Sequence, residues 1–147
     1  AAAVPQGPTP FVDEFNDIHG FSEGDEYFNA GVMLVDINKW SSGNIGDKTI
    51  DWISETDREK IIYNDQDAIN VVLKDEIKPV EPVWNMEARY YWEQRMGISD
   101  WWKQNARDED LVLHYTGSQN PGTSGCVPRQ WAYRSYLEDP PFAGSGL

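Results

Sequence analysis

The stretch Ala30-Gly31-Val32-Met33-Leu34-Val35-Asp36 decides the fold class of this chain. Its apolar residues follow one another without the polar and apolar alternation that marks a strand with one face in water. A continuous apolar run of this length predicts a central strand that is buried on both faces, as in the sheet of an α/β protein. An acidic residue ends the run, and Ile37-Asn38-Lys39-Trp40 then predicts the start of a short helix.

Helical and extended patterns alternate around this strand. The predicted helices cover residues 45–56, 65–74 and 130–137, and the predicted short strands cover residues 77–80 and 111–114. Asn64 or Asp65 suits the N-cap of the middle helix, because either side chain can accept a hydrogen bond from the first turn. Residues 5–26 are rich in Pro, Gly and acidic side chains, which predicts mainly loop with a helical turn over residues 11–15. This mixture of elements predicts an α/β fold.

The composition excludes several classes of protein. The chain has 147 residues, enough for one domain, and a net charge of -13. Proteins that bind nucleic acid or anionic membranes neutralise phosphate with clustered Lys and Arg, so the acidic balance argues against both. A single cysteine, Cys126, excludes an internal disulfide framework and a Cys-based zinc site. No apolar run approaches the roughly 18 residues of a membrane span, and we predict a cytoplasmic protein.

Three polar segments carry side chains that could do chemistry. Asn29-Ala30-Gly31 places an amide beside backbone groups at the start of the apolar run, where it could bind a sugar hydroxyl or form a plain turn. Residues 64–70 gather several hydrogen-bonding side chains at a helix N-terminus, where they could serve function or capping. Residues 114–121 place a histidine before a glycine-bearing loop, a pattern typical of a phosphate or metal site and also of a structural histidine.

Taken together and in this order, these segments resemble glycosyltransferase family 8. The resemblance extends from Tyr27 to about Pro121. It is carried by Phe28-Asn29-Ala30-Gly31-Val32-Met33-Leu34, Asn38-Lys39-Trp40, Asp65-Gln66-Asp67 with Asn70, Trp84-Asn85 and His114-Tyr115-x-Gly117. Each motif is short, and their common order along the chain is what makes the resemblance specific.

The resemblance implies a GT-A fold, in which a mixed sheet is flanked by helices. It also implies that a hexose is transferred with retention of configuration from a nucleotide sugar, UDP-glucose or UDP-galactose, to a glycan or another acceptor. A divalent cation, typically Mn²⁺, is expected to bridge the donor diphosphate. A metal and backbone donors at that place would stabilise the charge that builds on the leaving group.

The functional residues of the family carry over to matching positions of this sequence. Asp65 and Gln66 match the pair beside the transferred sugar, and the resemblance predicts that both are catalytic. His114 matches the histidine that completes the metal site. The predicted substrate-binding residues are Asn29, Ala30, Gly31, Gly117 and Asn120.

Two departures from the family pattern affect the expected activity. The family has an Asp-x-Asp upstream of the Asn-Ala-Gly turn; Asp65-Gln66-Asp67 has those letters but comes too late in the order. We therefore expect residues 1–147 to form a single domain, the C-terminal portion of a catalytic domain that needs its N-terminal half and is inactive alone. After the His-Tyr-x-Gly loop, Asn120-Pro121-Gly122 stands where the family usually has Lys-Pro-Trp. A neutral amide thus replaces a lysine that would meet the diphosphate.

Two other interpretations stay open from the sequence. One is a catalytically degenerate carbohydrate-binding or interaction module on the same scaffold, which the missing lysine favours. The other is an unrelated acidic α/β domain with accidental motif matches. An apolar strand that ends in Asp-x-Asp, upstream in the reading frame, would favour the enzyme over the binding module.

Overall fold

The computed structural model describes residues 1–7, 9–22, 24–91, 112–116, 121–122 and 127–138. The chain divides into two compact units, Ala1–Asn85 and Met86–Leu147. Of the elements in the described residues, most helices and the larger sheet belong to the first unit. The combination of strands and helices confirms the predicted α/β class.

A mixed three-stranded sheet forms the centre of the first unit. Its strands are β1 (Ala2–Pro5), β2 (Phe28–Leu34) and β3 (Lys78–Pro79), in the order β2-β1-β3. β1 pairs antiparallel with β2, Ala2 lying opposite Leu34, and parallel with β3. Strand β1 was not predicted, because its alanine-rich sequence has little intrinsic β preference and is held extended by its two neighbours. The predicted edge strand over residues 77–80 is confirmed as β3.

Strand β2 differs from the prediction of a central strand buried on both faces. In the described sheet it has one neighbour, and only its first two residues, Phe28 and Asn29, are buried. Gly31 is exposed, and Leu34 keeps 76% of its surface accessible. The prediction of burial on both faces is wrong. An apolar run indicates that its residues favour burial, but tertiary packing decides which of them are covered.

Helices α1 (Pro10–His19), α2 (Ile37–Ser42), α3 (Ile45–Glu55) and α4 (Asn64–Val72) complete the first unit. The last three confirm the predicted helices. α1 corrects the prediction of a single turn in a loop, since it begins with proline at its first position and ends at Gly20 in the left-handed conformation, φ 67°. Two single 3-10 turns cover Arg58–Lys60 and Pro82–Trp84.

The N-terminus of α4 is organised differently from the predicted cap. The helix begins after Tyr63, and no side chain of the capping residue bonds the first turn. Asn64 has a positive φ of 24°, and neither it nor Asp65 is the N-cap. The preceding backbone is held instead by Asp67, whose carboxylate accepts hydrogen bonds from two N–H groups.

Two apolar clusters hold β2 and α4 in place within the first unit. The first is centred on the buried residues Ala3, Phe28, Ile45, Leu73 and Ile77. The second is centred on Val12, Phe15 and Tyr27. Because residues of α4 or its C-cap pack on both clusters, the helix is fixed against the start of β2.

The second unit contains two short parallel strands and a helix among its described residues. β4 (Met86–Glu87) pairs with β5 (Leu113–His114), so that Glu87 lies opposite His114. Helix α5 (Gln130–Glu138) confirms the predicted last helix, and β5 confirms the predicted strand over residues 111–114 at Leu113 and His114. Within the parts of the chain that the structure describes, no helix is long and apolar enough to cross a membrane.

Candidate functional site

A network of four amide side chains joins distant parts of the first unit. Asn85 Nδ2 donates to Asn29 Oδ1 at 2.8 Å, and Asn29 Nδ2 donates to Gln6 Oε1 at 3.0 Å. Gln66 Nε2 donates to the same oxygen of Gln6 at 3.3 Å. The N–H of Gly31 closes a local turn by donating to Asn29 Oδ1 at 2.9 Å. The network fixes the side chain of Asn29, which is 5% exposed, from three directions.

Two side chains of α4 bind the backbone of β2. Asn70 accepts from the N–H of Phe28 at 2.7 Å and donates to its carbonyl at 2.9 Å, and Gln66 Oε1 accepts from the N–H of Ala30 at 3.0 Å. Four residues of helix rise about 6 Å and two residues of strand about 6.6 Å, so the spacings of the two pairs agree. The amides of α4 thus occupy backbone groups that a further strand would otherwise pair.

A buried carboxylate continues the network on the other side of Gln66. Gln66 Nε2 donates to the Tyr27 hydroxyl at 3.1 Å, which donates to Asp67 Oδ1 at 2.6 Å. Asp67 Oδ2 accepts from the N–H groups of Ile62 and Tyr63 at 2.6 and 2.7 Å. Burial, and then the hydrogen bond to Asp67, raises the pKa of Tyr27 far above its usual range. The hydroxyl therefore stays protonated and acts as a fixed donor.

Asp65 and Asp67 lie in different surroundings although they are two residues apart. Asp65 is exposed on the first turn of α4, where the helix dipole favours negative charge. Asp67 is fully buried, and both of its oxygens accept hydrogen bonds. The two carboxylates of Asp65-Gln66-Asp67 therefore do not share one exposed surface.

The second unit has a polar cluster of its own around Glu87. This side chain is 4% exposed, and its Oε1 accepts from the Tyr90 hydroxyl at 2.8 Å while its Oε2 accepts from the Thr116 hydroxyl at 3.0 Å. Arg89 neutralises the charge, with its Nε 3.0 Å from Glu87 Oε2. Burial and the neighbouring carboxylate raise the pKa of Tyr90 beyond its usual range, so its hydroxyl also remains a donor.

His114 lies beside this cluster at the end of β5. Its backbone carbonyl accepts from the N–H of Ala88 at 2.8 Å, which continues the pairing with β4. Burial lowers the pKa of the imidazole; Glu87 acts in the opposite direction, and Arg89 adds to the lowering. The neutral form is therefore favoured, and that is the form of histidine that binds metal ions.

Comparisons with known proteins identify the family. Residues 12–122 match the family described as Glycosyl transferase family 8. The chain belongs to glycosyltransferase family 8. Its curated relatives include general stress protein A of Bacillus subtilis, 29% identical over 105 residues, with 67% of this chain and 36% of that protein covered. They also include a lipopolysaccharide 1,2-glucosyltransferase of Escherichia coli, 27% identical over 118 residues, with 80% of this chain and 35% of that protein covered.

A solved structure shows that the fold is GT-A. It is the galactosyltransferase LgtC, crystallised with donor and acceptor sugar analogues, which is 23% identical and superposes with a TM-score of 0.69. The match covers 93% of this chain and 49% of LgtC. The chain thus spans about a third of the length of these curated relatives and about half of LgtC.

Within this family 8 chain, the structure brings most of the predicted first-unit residues together. Gln66 bonds the backbone of Ala30, and Asn29 bonds that of Gly31. Asp65 directly precedes Gln66 in the first turn of α4, and its side chain is exposed. The Asn29-Ala30-Gly31 turn and the start of α4 therefore form one hydrogen-bonded cluster, although Ala30 and Gln66 are 36 residues apart in the sequence.

The predicted residues of the second unit are described only in part. His114 is at the end of β5 and half-buried. Gly117 and Asn120 lie outside the described residues.

Sequence reasoning missed Gln6, Glu87 and Arg89. Gln6 lies in a segment predicted as loop, where nothing in the local pattern indicates burial. Glu87 had a usable signal, because its carboxylate lies between the apolar residues Met86 and Ala88. A buried acid with an arginine two residues later predicts an internal ion pair.

Proposed function

We propose that the full-length protein transfers a hexose from a nucleotide sugar to a glycan acceptor with retention of configuration. The donor is UDP-glucose or UDP-galactose, in keeping with relatives named as a glucosyltransferase and a galactosyltransferase. In this proposal both units belong to one catalytic domain, and the chain spans about half the length of LgtC. The cytoplasmic location stays a prediction.

One contact carries the proposal, the hydrogen bond of 3.0 Å from the N–H of Ala30 to Gln66 Oε1. It joins the turn predicted to contact the sugar to the pair predicted to lie beside the reacting carbon. These two predictions came from separate motifs, and their direct contact supports a common site.

In this proposal the first-unit residues hold the transferred sugar. The exposed carboxylate of Asp65 binds donor hydroxyls, because an ionised carboxylate accepts strong hydrogen bonds. Gln66 presents its amide near the anomeric carbon, where an amide or carboxylate dipole supports an oxocarbenium-like state. Asn29, Ala30 and Gly31 shape the turn on which the sugar lies.

The second unit would bind the diphosphate. Gly117 and Asn120 are proposed to approach it, and His114 to bind a divalent cation, Mn²⁺ by family resemblance. The cation would stabilise negative charge on the leaving group. His114 fits this role because its lowered pKa favours the neutral imidazole. Among the described residues no group of three or more His, Cys, Asp or Glu side chains is placed to hold a metal ion, so the other ligands would lie outside them.

A second candidate function is a carbohydrate-binding or interaction module that has lost catalysis. The observation in its favour is the engagement of Gln66, whose oxygen and nitrogen both take part in hydrogen bonds inside the first unit. An amide held in this way can shape a sugar site without reacting. The absence of the family lysine at Asn120 points in the same direction.

Hydrolysis of a panel of UDP-sugars by the full-length protein, with and without Mn²⁺, distinguishes the two functions. The transferase releases UDP from one sugar in a metal-dependent manner. If the folded protein releases none, while a UDP-sugar or glycan still binds by calorimetry, the binding module is the correct function.

A further inference from the structure

Gln6 lies at the centre of the amide network although no motif contains it. It directly follows β1 and is 2% exposed, and its backbone N–H donates to the Tyr27 carbonyl at 2.8 Å. Its side-chain oxygen accepts from Asn29 at 3.0 Å and from Gln66 at 3.3 Å. These partners are 23 and 60 positions away in the sequence.

We propose that Gln6 is a positioning residue that sets the orientation of the two amides of the site. The inference rests on the proposed function of that site. An amide oxygen has two lone pairs and can accept two hydrogen bonds at once. Because both donors converge on one atom, Asn29 on β2 and Gln66 on α4 are held at a defined separation.

The same contacts determine which way each amide faces. Gln66 directs its oxygen to the N–H of Ala30 and its NH₂ group to Gln6 and Tyr27. A reversed amide would place its oxygen against Gln6 Oε1 and its NH₂ group against a backbone N–H. Asn29 is restricted likewise, since its oxygen already accepts two hydrogen bonds. Without the acceptor on Gln6, one restraint on each orientation is lost.

Kinetics of Gln6→Met in the full-length protein test this role. Methionine has a similar volume but cannot supply the acceptor. We expect kcat for UDP-sugar turnover to fall about tenfold, the effect of losing one hydrogen bond of ordinary strength in the transition state. We expect the affinity for UDP to be unchanged, because the network faces the sugar in the proposed site. Gln6→Glu keeps an accepting oxygen but buries a charge, so its kcat is expected to fall less than that of Gln6→Met while its free energy of unfolding is lowered.

Thr49→Val is the matched control for a general loss of stability. It removes a buried hydrogen bond of 2.8 Å to the Ile45 carbonyl in α3, apart from the network. We expect its kcat to be unchanged. A Gln6→Met variant with unchanged kcat, or a Gln6→Glu variant as impaired as Gln6→Met, would overturn the inference.

A measurement on the unsubstituted protein covers the case in which a variant does not fold. The side-chain NH₂ protons of Asn29 and Gln66 are expected to exchange slowly with solvent in NMR spectra, because each donates to Gln6. Fast exchange of both overturns the inference. If no UDP-sugar is turned over by the unsubstituted protein but these protons are protected, the proposed transferase function fails while the anchoring by Gln6 stands.

Discussion

The two polar clusters of the protein bury hydrogen-bonding groups by different means. In the first unit, neutral amides, a tyrosine hydroxyl and backbone N–H groups surround a single carboxylate, Asp67. In the second unit, the buried carboxylate of Glu87 is balanced by the guanidinium of Arg89. Burial of a neutral amide costs less solvation free energy than burial of an ion and is offset by its hydrogen bonds, whereas a buried ion pair is stable only while both charges are present.

This difference has a consequence for function. Apart from Asp67, the side chains of the first cluster are neutral, and their hydrogen bonds hold a turn and a helix at a fixed geometry. An ion pair beside His114 controls the local charge at the place where a metal and a diphosphate are proposed. The proposed function assigns the neutral sugar to the first cluster and the charged groups to the second.

The largest expected effect separates the roles of the two histidines. In the full-length protein, His114→Ala should lower metal-dependent release of UDP about 1000-fold, or about 4 kcal/mol, because the proposed metal ligand is lost. His19→Ala is the control; His19 Nε2 lies 2.9 Å from the Lys60 carbonyl in the first unit, and its replacement should leave the Mn²⁺ dependence intact. If the His114 variant and the unsubstituted protein had the same rate and the same Mn²⁺ dependence, His114 would not be a metal ligand.

The next effect tests the ionic character of the second cluster. Arg89→Met should lower the free energy of unfolding by about 3 kcal/mol, because Glu87 would be left buried without its counter-charge. Urea denaturation measures the loss. The double variant Glu87→Gln with Arg89→Met should recover most of it. A single variant that loses less than about 1 kcal/mol would mean that Glu87 is not held as an ion pair.

A third prediction concerns the sugar side of the site. Asp65→Ala should reduce transfer about 100-fold, near 2.7 kcal/mol, and leave UDP affinity unchanged, since its proposed partner is the sugar. Asp47→Ala removes another exposed aspartate from the first turn of a helix, α3, and should change neither quantity. Calorimetry with UDP is the deciding measurement. Parallel loss of UDP binding in the Asp65 variant would show that it supports the structure rather than the sugar.

The smallest expected effect tests the neutral network. Asn70→Leu leaves the N–H and carbonyl of Phe28 without their side-chain partner and should cost about 2 kcal/mol of unfolding free energy. Asn38→Leu, on the exposed surface of α2, should change it by less than about 0.5 kcal/mol. Both values come from urea denaturation. If Asn70→Leu and Asn38→Leu had the same free energy of unfolding, water would bond the N–H and carbonyl groups of Phe28 as well as Asn70 does.

Much of the fold could be predicted because the position of a helix follows from the spacing of apolar residues that are close in sequence. Apolar spacing located α3, α4 and α5, and the acid after the apolar run marked the start of α2. The prediction was weakest at β1 and at the burial of β2. A strand has no internal hydrogen bonds, so its existence and burial depend on partners that are distant in sequence.

The candidate site likewise has a part that the sequence predicted and a part that only the structure showed. The sequence by itself determined that Asn29, Asp65, Gln66 and His114 carry the family motifs, since residue type and order are sequence properties. Only the tertiary structure decided that Gln6 accepts hydrogen bonds from two of these residues, Asn29 and Gln66. The physical reason is that such hydrogen bonds join atoms up to 60 positions apart, and no local periodicity records a contact made through packing.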